Sequence, residues 1–250
     1  MCIAFLAVEA HPRYPLVVLA NRDEFLARPT VPMSRWKGPA GIIAGRDLQA
    51  GGTWFGVNAS GRLALLTNYR EPPESTRNGP SRGALVAGYL DGTVADFPYH
   101  LSTCGDSYAG FNVIFGPWRQ LTHFSNRGLG LTSITAGLHG LSNALLDTPW
   151  PKVQRGKRLL AEALKNEKLE AERLFEILGD HQRASDPELP DTGVPLELER
   201  RLSSIRIPDD GPYGSRSATV MVVEQSGLAH LWERSYQEGT EVVHVLELPG

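Results

Sequence analysis

Only two cysteines, Cys2 and Cys104, occur in the 250 residues. A disulfide framework is therefore excluded, and a lone bridge would be unusual in a reducing compartment, so Cys2 reads as a free thiol. Charge of one sign is equally scarce: the net charge is −3 and no basic block stands out. The footprint needed to follow a phosphate backbone is missing, and nucleic acid is not an expected partner. No apolar run approaches the roughly 20 residues of a membrane-spanning helix. The start, "MCIAFLAVEA", has no basic region, carries Glu9 early and offers no small-residue cleavage site before "HPRYP", so no secretory signal is expected. These absences read as a soluble, cytoplasmic protein.

Familiar ligand motifs are missing too. The seven histidines show no H-E-x-x-H spacing and the cysteines lie far apart, so no metal site is expected. Gly128-Leu129-Gly130 lacks the rest of a dinucleotide fingerprint, and no phosphate-cradling G-x-x-x-x-G-K-[ST] occurs. No resident cofactor is implied by these patterns.

What is present is a globular composition, 41% apolar and 21% charged, suited to a single domain over 1–250. Short runs rich in Val, Ile, Leu, Phe and Trp predict strands near 2–9, 16–21, 41–45, 53–58, 62–68, 111–116, 119–125, 138–143, 218–224, 228–234 and 241–248. Helical spacing predicts 81–91 with Ser81 as N-cap, 148–166 with Thr148 as cap and Pro149 at the first helical position, and 169–178 ending at Gly179. Strand blocks flanking helices argue for a layered α+β domain with mixed or antiparallel sheets. The polar, proline-punctuated stretch 181–215 reads as a long excursion over the surface.

Gly79-Pro80-Ser81-Arg82-Gly83 satisfies the G-x-S-x-G pattern of a nucleophile elbow. The segment before it is a Pro-rich loop rather than a strand, so the helix-capping role is the better reading of Ser81. Polar residues instead gather at strand ends. Asn21, Arg22, Asp23 and Glu24 follow an apolar run, Asn68 and Asn143 each close one, and Arg216, Ser217 and Thr219 open another. A core needs none of these groups, whereas a site needs donors held by rigid elements.

Cys2 supplies the remaining reagent. Removal of Met1 would place a thiol of pKa about 8.5 and an α-amine of about 8 on one residue, so the terminus can act as base for its own nucleophile. A nearby Arg would favour the thiolate, an Asp can orient the ammonium, and Asn amides can stabilise an oxyanion. The plainer alternative is a small apolar residue opening an edge strand.

In order along the chain, "MCIAF", "LANRDEF.ARP", "GGTWFGV", "LTNYR", "GFNVI", "GLSNALLDTPWPK" and "SRSATVMVV" closely resemble the NRDE family, also called the transport and Golgi organisation 2 family. The resemblance implies a four-layer αββα sandwich of the N-terminal-nucleophile (Ntn) hydrolase type, with two mostly antiparallel sheets. A more distant similarity, to choloylglycine hydrolases and penicillin V acylases, implies a catalytic set of Cys2, Asp23, Asn68 and Asn143. Asn21, Arg22, Trp54 and Arg216 are then expected to bind substrate. In that pattern Arg precedes Asn by one position, which here is Ala20. Arg22 stands between Asn21 and Asp23 on the opposite strand face, and without a bulge it is not expected to inherit the role. Two functions follow from the resemblance: hydrolysis of a C–N amide or thioester in a small amphipathic substrate, or non-catalytic carriage of haem, an acyl lipid or acyl-coenzyme A in the same pocket.

Overall fold

The structure, a computed structural model, describes residues 2–72 and 79–250, with Cys2 described by its backbone. Among the described residues thirteen strands form two sheets. Six strands, β1 (Cys2–Val8), β2 (Leu16–Phe25), β10 (Gly137–Leu141), β11 (Tyr213–Val223), β12 (Leu228–Ser235) and β13 (Glu241–Glu247), pair in the order β10-β1-β2-β11-β12-β13. The other seven run in sequence order: β3 (Thr30–Arg35), β4 (Ile43–Asp47), β5 (Phe55–Val57), β6 (Arg62–Asn68), β7 (Phe111–Pro117), β8 (Thr122–Ser125) and β9 (Gly130–Ser133). Every pairing is antiparallel.

Three apolar layers account for the stacking. Between the sheets, Leu16, Val18 and Ala20 of β2 meet Phe55, Val57, Leu63 and Leu65 of the facing sheet. On the other face of β2, Val17 and Leu19 lie under α3 (Pro151–Ala163) and α4 (Ala171–Leu178). The second sheet is covered by α1 (Arg82–Asp91) and α2 (Phe97–Cys104), which bury Val86, Leu90 and Leu101 on Ala64, Val113 and Phe115. Strands buried on both faces read as continuous apolar runs, and this is why β1 and β2 show no polar alternation. The result is the αββα sandwich. Close approach of α3 to β1 depends on Gly156, where a Cβ would lie 1.9 Å from the Phe5 ring.

Several elements differ from expectation. Strand β2 runs on through the polar residues to Phe25, and β11 starts at Tyr213, inside the expected surface excursion. That excursion also holds a short helix, α5 (Leu196–Arg201). Strands β3 and β9 and helix α2 were not anticipated from the pattern. Helix α3 begins at Pro151 with Trp150 at its N-cap, not at Thr148 and Pro149. Thr148 and Trp150 each precede a proline, which disfavours the helical conformation at both and delays the start to Pro151. Ser81 does occupy the N-cap of α1, but its side chain makes no capping hydrogen bond; it lines a cleft instead. The residues before Gly79, where a nucleophile elbow would need its strand, lie outside the described residues.

Candidate active site

Antiparallel pairing brings five chain positions to one end of the sandwich. The start of β1, the far end of β2 and the start of β11 are register neighbours: Cys2 stands opposite Arg22, and Arg22 opposite Ser217. Strand β10 leads to Asn143, and β6 ends at Asn68 in the facing sheet. Beside this end opens a cleft of about 420 Å³ lined by Arg22, Asp23, Arg28, Asp47, Trp54 and Asn68, among others.

Strand parity sorts the polar run after β2's apolar half. Arg22 falls on the face of Ala20 and Val18, toward the second sheet, while Asn21 and Asp23 fall on the helix side with Leu19. Arg22 therefore shares its face with Ala20, the position that holds Arg in the distant acylase pattern, and it does so with no bulge in the β1–β2 ladder. Arg22 thus faces away from Asn21 and Asp23, as strand alternation implies, and the ladder offers no bulge that would re-aim it. The irregularity lies instead in β11, where the register on β2 shifts between Ser215 and Ser217 and leaves Arg216 as the extra residue. Bulges of this kind re-aim side chains at site rims. Arg216 is half-buried and donates from Nη1 to the carbonyls of Phe25 and Arg28. Burial and the Arg22 charge hold its guanidinium pKa below the usual value.

Arg22 is 4% exposed, and both terminal nitrogens of its guanidinium have partners. Nη1 donates to Thr30 Oγ1 at 2.9 Å, and Nη2 pairs with Asp47 Oδ2 at 3.2 Å. Its guanidinium lies 4.1 Å from the Trp54 ring centroid. Asp47 also takes Arg28 Nε at 2.6 Å and the backbone N–H groups of Gln49 and Ala50. Against the burial that raises it, these bonds hold the Asp47 carboxyl below the usual range. Trp54 is set by Gly45, where a Cβ would meet the indole at 2.4 Å. Arg22 and Trp54 also line a smaller second cleft with Arg216, Ser217 and Glu233. Glu233 is buried, its carboxylate accepting the Met33 N–H at 2.6 Å, and burial raises its pKa despite that bond and the Arg22 charge.

Asp23 is 1% exposed. Burial pushes its carboxyl up to about 6, although Lys152, a hydrogen bond from Ser215 Oγ at 2.5 Å and Arg70 all favour the charged form. Arg70 is itself buried, paired through Nη1 with Glu199 Oε2 of α5 at 2.5 Å and lying 4.8 Å from the Trp150 ring centroid. Its backbone N–H donates to the Asn143 carbonyl at 2.7 Å, and Asn143 Nδ2 donates to the Asn68 carbonyl at 3.0 Å. Asn68 and Asn143 are thus brought together, with Asn68 at the cleft wall and Asn143 buried behind it.

Asn21, expected to bind substrate, is placed elsewhere. Its Nδ2 donates to the carbonyls of Leu178 at 2.8 Å and Ile205 at 3.0 Å, and its Oδ1 accepts from Tyr236 Oη at 3.0 Å. These bonds tie β2 to the end of α4 and hold Asn21 out of the cleft, although Asp23, on the same strand face, lines it. Asp47, Glu233, Arg70, Lys152 and Glu199 were not singled out from the sequence. The available signals were the place of Arg70 two residues after Asn68 and of Asp47 at the end of β4. Among the described residues no group of His, Cys, Asp and Glu could hold a metal ion.

Comparison with known proteins bears on the family and the fold. The transport and Golgi organization protein 2 homolog of Bos taurus is 35% identical over 94% of this chain and 93% of its own. The Homo sapiens homolog is 33% identical over 95% and 94%. A conjugated bile acid hydrolase from Clostridium perfringens, crystallised as its C2A mutant, superposes with a TM-score of 0.54 over 98% of this chain and 92% of its own. At 8% identity that likeness speaks for the Ntn-hydrolase fold alone. Residues 1–238 match the family described as Transport and Golgi organisation 2, and the chain belongs to that family.

Proposed function

We propose that the protein is a hydrolase that attacks a C–N amide or thioester carbonyl of a small amphipathic molecule bound in the 420 Å³ cleft. The observation that carries this reading is the register of β1 on β2, which sets Cys2 opposite Arg22 with Asp23 next along the strand. Once Met1 is removed, the Cys2 amine takes the thiol proton and the thiolate adds to the carbonyl carbon. Asn68 supplies an N–H donor to the oxyanion, Asn143 holds Asn68 in place through its bond to the Asn68 carbonyl, and Arg22 favours the thiolate by its charge. The C–N or C–S bond breaks as the leaving group takes up the proton, and water then releases the acyl group from Cys2. Asp23 holds the terminal ammonium during transfer. A conjugated bile acid hydrolase shares the fold, which makes this chemistry compatible with the scaffold.

A second reading is favoured by the engagement of Arg22 with Thr30, Asp47 and Trp54, which makes it a fixed cation suited to a ligand's anionic group. On that reading the cleft carries an acyl lipid, acyl-coenzyme A or haem without chemistry. If the cargo is haem, the Cys2 thiolate would be a ligand for its iron.

Intact mass after incubation with a long-chain N-acyl amide and with an acyl thioester separates the two. The hydrolase reading expects Met1 to be absent and an acyl adduct on Cys2, lost in Cys2→Ala while ligand binding remains. Retention of Met1 on active protein overturns the terminal-amine mechanism, and ligand transfer by Cys2→Ala equal to wild type with no adduct overturns the hydrolase reading in favour of the carrier.

A further inference from the structure

On the helix-covered face, apart from both clefts described above, α3 and the segment 182–184 border a third cleft of about 580 Å³. Four cations, Lys152, Arg155, Arg158 and Arg183, line it against a single carboxylate, Glu188. In a chain of net charge −3, that is a local excess of positive charge. The four are not equivalent. Arg155 is held fork to fork by Asp180, Nε to Oδ1 at 2.9 Å and Nη2 to Oδ2 at 2.5 Å. Lys152 is 3% exposed, with Nζ donating to the Leu202 carbonyl at 3.0 Å. Glu188 is turned to its own turn, accepting from Ser185 N at 3.1 Å and Ser185 Oγ at 2.6 Å.

Arg158 and Arg183 remain. Both are exposed at the rim, and neither makes a hydrogen bond or ion pair with another described residue. The first turn of α3, which forms one wall, contains no acidic residue, so its positive end adds to the field rather than cancelling it. Two unpaired guanidinium forks beside a buried ammonium offer paired N–H donors at a fixed positive potential. That matches the oxygen geometry of a tetrahedral anion.

We propose that this cleft binds the phosphate group of a small phosphorylated molecule, with Arg158 and Arg183 as its direct partners and Lys152 as the buried countercharge. A carboxylate fits less well, since the donors come from two segments, α3 and 182–184, and a phosphate presents oxygens enough for both. The site opens apart from the Cys2 cleft, and Lys152 is the one member whose charge also acts on Asp23.

The test titrates the whole chain with inorganic pyrophosphate by calorimetry at about 50 and about 300 mM salt. A parallel arm uses phosphatidylcholine vesicles with and without phosphatidic acid. Saturable one-to-one binding of pyrophosphate is expected, weakening with salt and falling about tenfold or more in Arg158→Ala and in Arg183→Ala. It should vanish in Arg158→Glu/Arg183→Glu. Arg173→Glu, on the exposed face of α4 and paired with Glu176, should bind as wild type. Vesicle binding lost in the same variants would identify the source as a lipid headgroup, and pyrophosphate binding alone a soluble phosphate; either supports the site. Circular dichroism confirms that the exposed substitutions leave the fold intact. Absence of saturable binding in both arms, or binding that the double variant retains, overturns the proposal.

Discussion

Arg22 and Trp54 stack across the gap between the two sheets, guanidinium carbon to indole centroid 4.1 Å, and both line the large cleft and its smaller neighbour. The stack is the partition between these two spaces. A cation–π contact of this depth contributes about 1–2 kcal/mol. Trp54→Ala should therefore lower stability in urea by at least that amount and weaken ligand capture in the cleft. Trp54→Phe should keep a large part of both. Equal behaviour of the two variants would show that the ring face plays no part.

Breaking the Arg70–Glu199 pair should be costly out of proportion to its net worth. Both side chains are 4% exposed, and Glu199→Gln leaves a guanidinium buried without its charge partner. A loss of about 3–5 kcal/mol is expected by urea denaturation. Replacing both partners together, Arg70→Met/Glu199→Leu, should recover much of it. The carboxylate of Glu199 also accepts the Thr192 N–H at 3.1 Å, so Glu199→Gln should open 185–201 to limited proteolysis before the rest of the chain. Uniform digestion would mean that the pair does not hold this segment.

Period and apolar run length were enough to find β1, α1, α3 and α4, because each buries a regular stripe. Strand β2 was cut short at Asn21 because a polar run normally marks a strand end. It continues because Arg22 finds Asp47 and Asp23 finds Ser215, partners too distant in sequence for any local pattern to show. The opposite facings of Asn21 and Arg22 were legible from alternation alone; the β11 bulge at Arg216 was not, since it arises only on pairing. Helix α5 and the start of β11 were hidden among prolines that mark surface loops elsewhere. Their anchors, Glu199 and Ser215, are again long-range.

Asp147 links the Asn143 loop to α3 and should make stability depend on acid. It adopts φ 58° and accepts from His139 Nδ1 at 2.7 Å, Lys157 Nζ at 2.6 Å and Gly140 N at 2.9 Å. Against the burial that raises it, these bonds hold its carboxyl at about 2. Its contribution is present above the ordinary carboxylate range and lost as pH falls from about 4 toward about 2. His139 has the opposite sign. The hydrogen bond to Asp147 raises its pKa, so its contribution is full below about 6.5 and fades as pH rises through the raised value. Asp147→Asn should cost about 1–2 kcal/mol at pH 6, allowing for the screening of a partly exposed cluster, and should flatten both limbs of the stability profile. A profile identical to wild type would place the acid sensitivity elsewhere.

Asp23 provides a test that bears on function and fold together. Its carboxyl sits near 6, raised by burial, so it is charged at neutral pH but gains a proton readily below. If it holds the Cys2 ammonium, acyl transfer should fall about tenfold per pH unit below that value, and Asp23→Asn should abolish the inflection along with most of the rate. The stability effect runs in the reverse direction. A raised folded pKa means that the native state keeps the proton longer than the unfolded chain, so this group's contribution is full in acid and is lost as pH rises from about 4 through about 6. The stability difference between wild type and Asp23→Asn should therefore move by about 2–3 kcal/mol in the variant's favour across that interval. Urea denaturation at pH 4, 5, 6 and 7.5 measures it. A constant difference over that range would mean that Asp23 titrates as an ordinary carboxylate, and the rate inflection, if seen, would belong to another group.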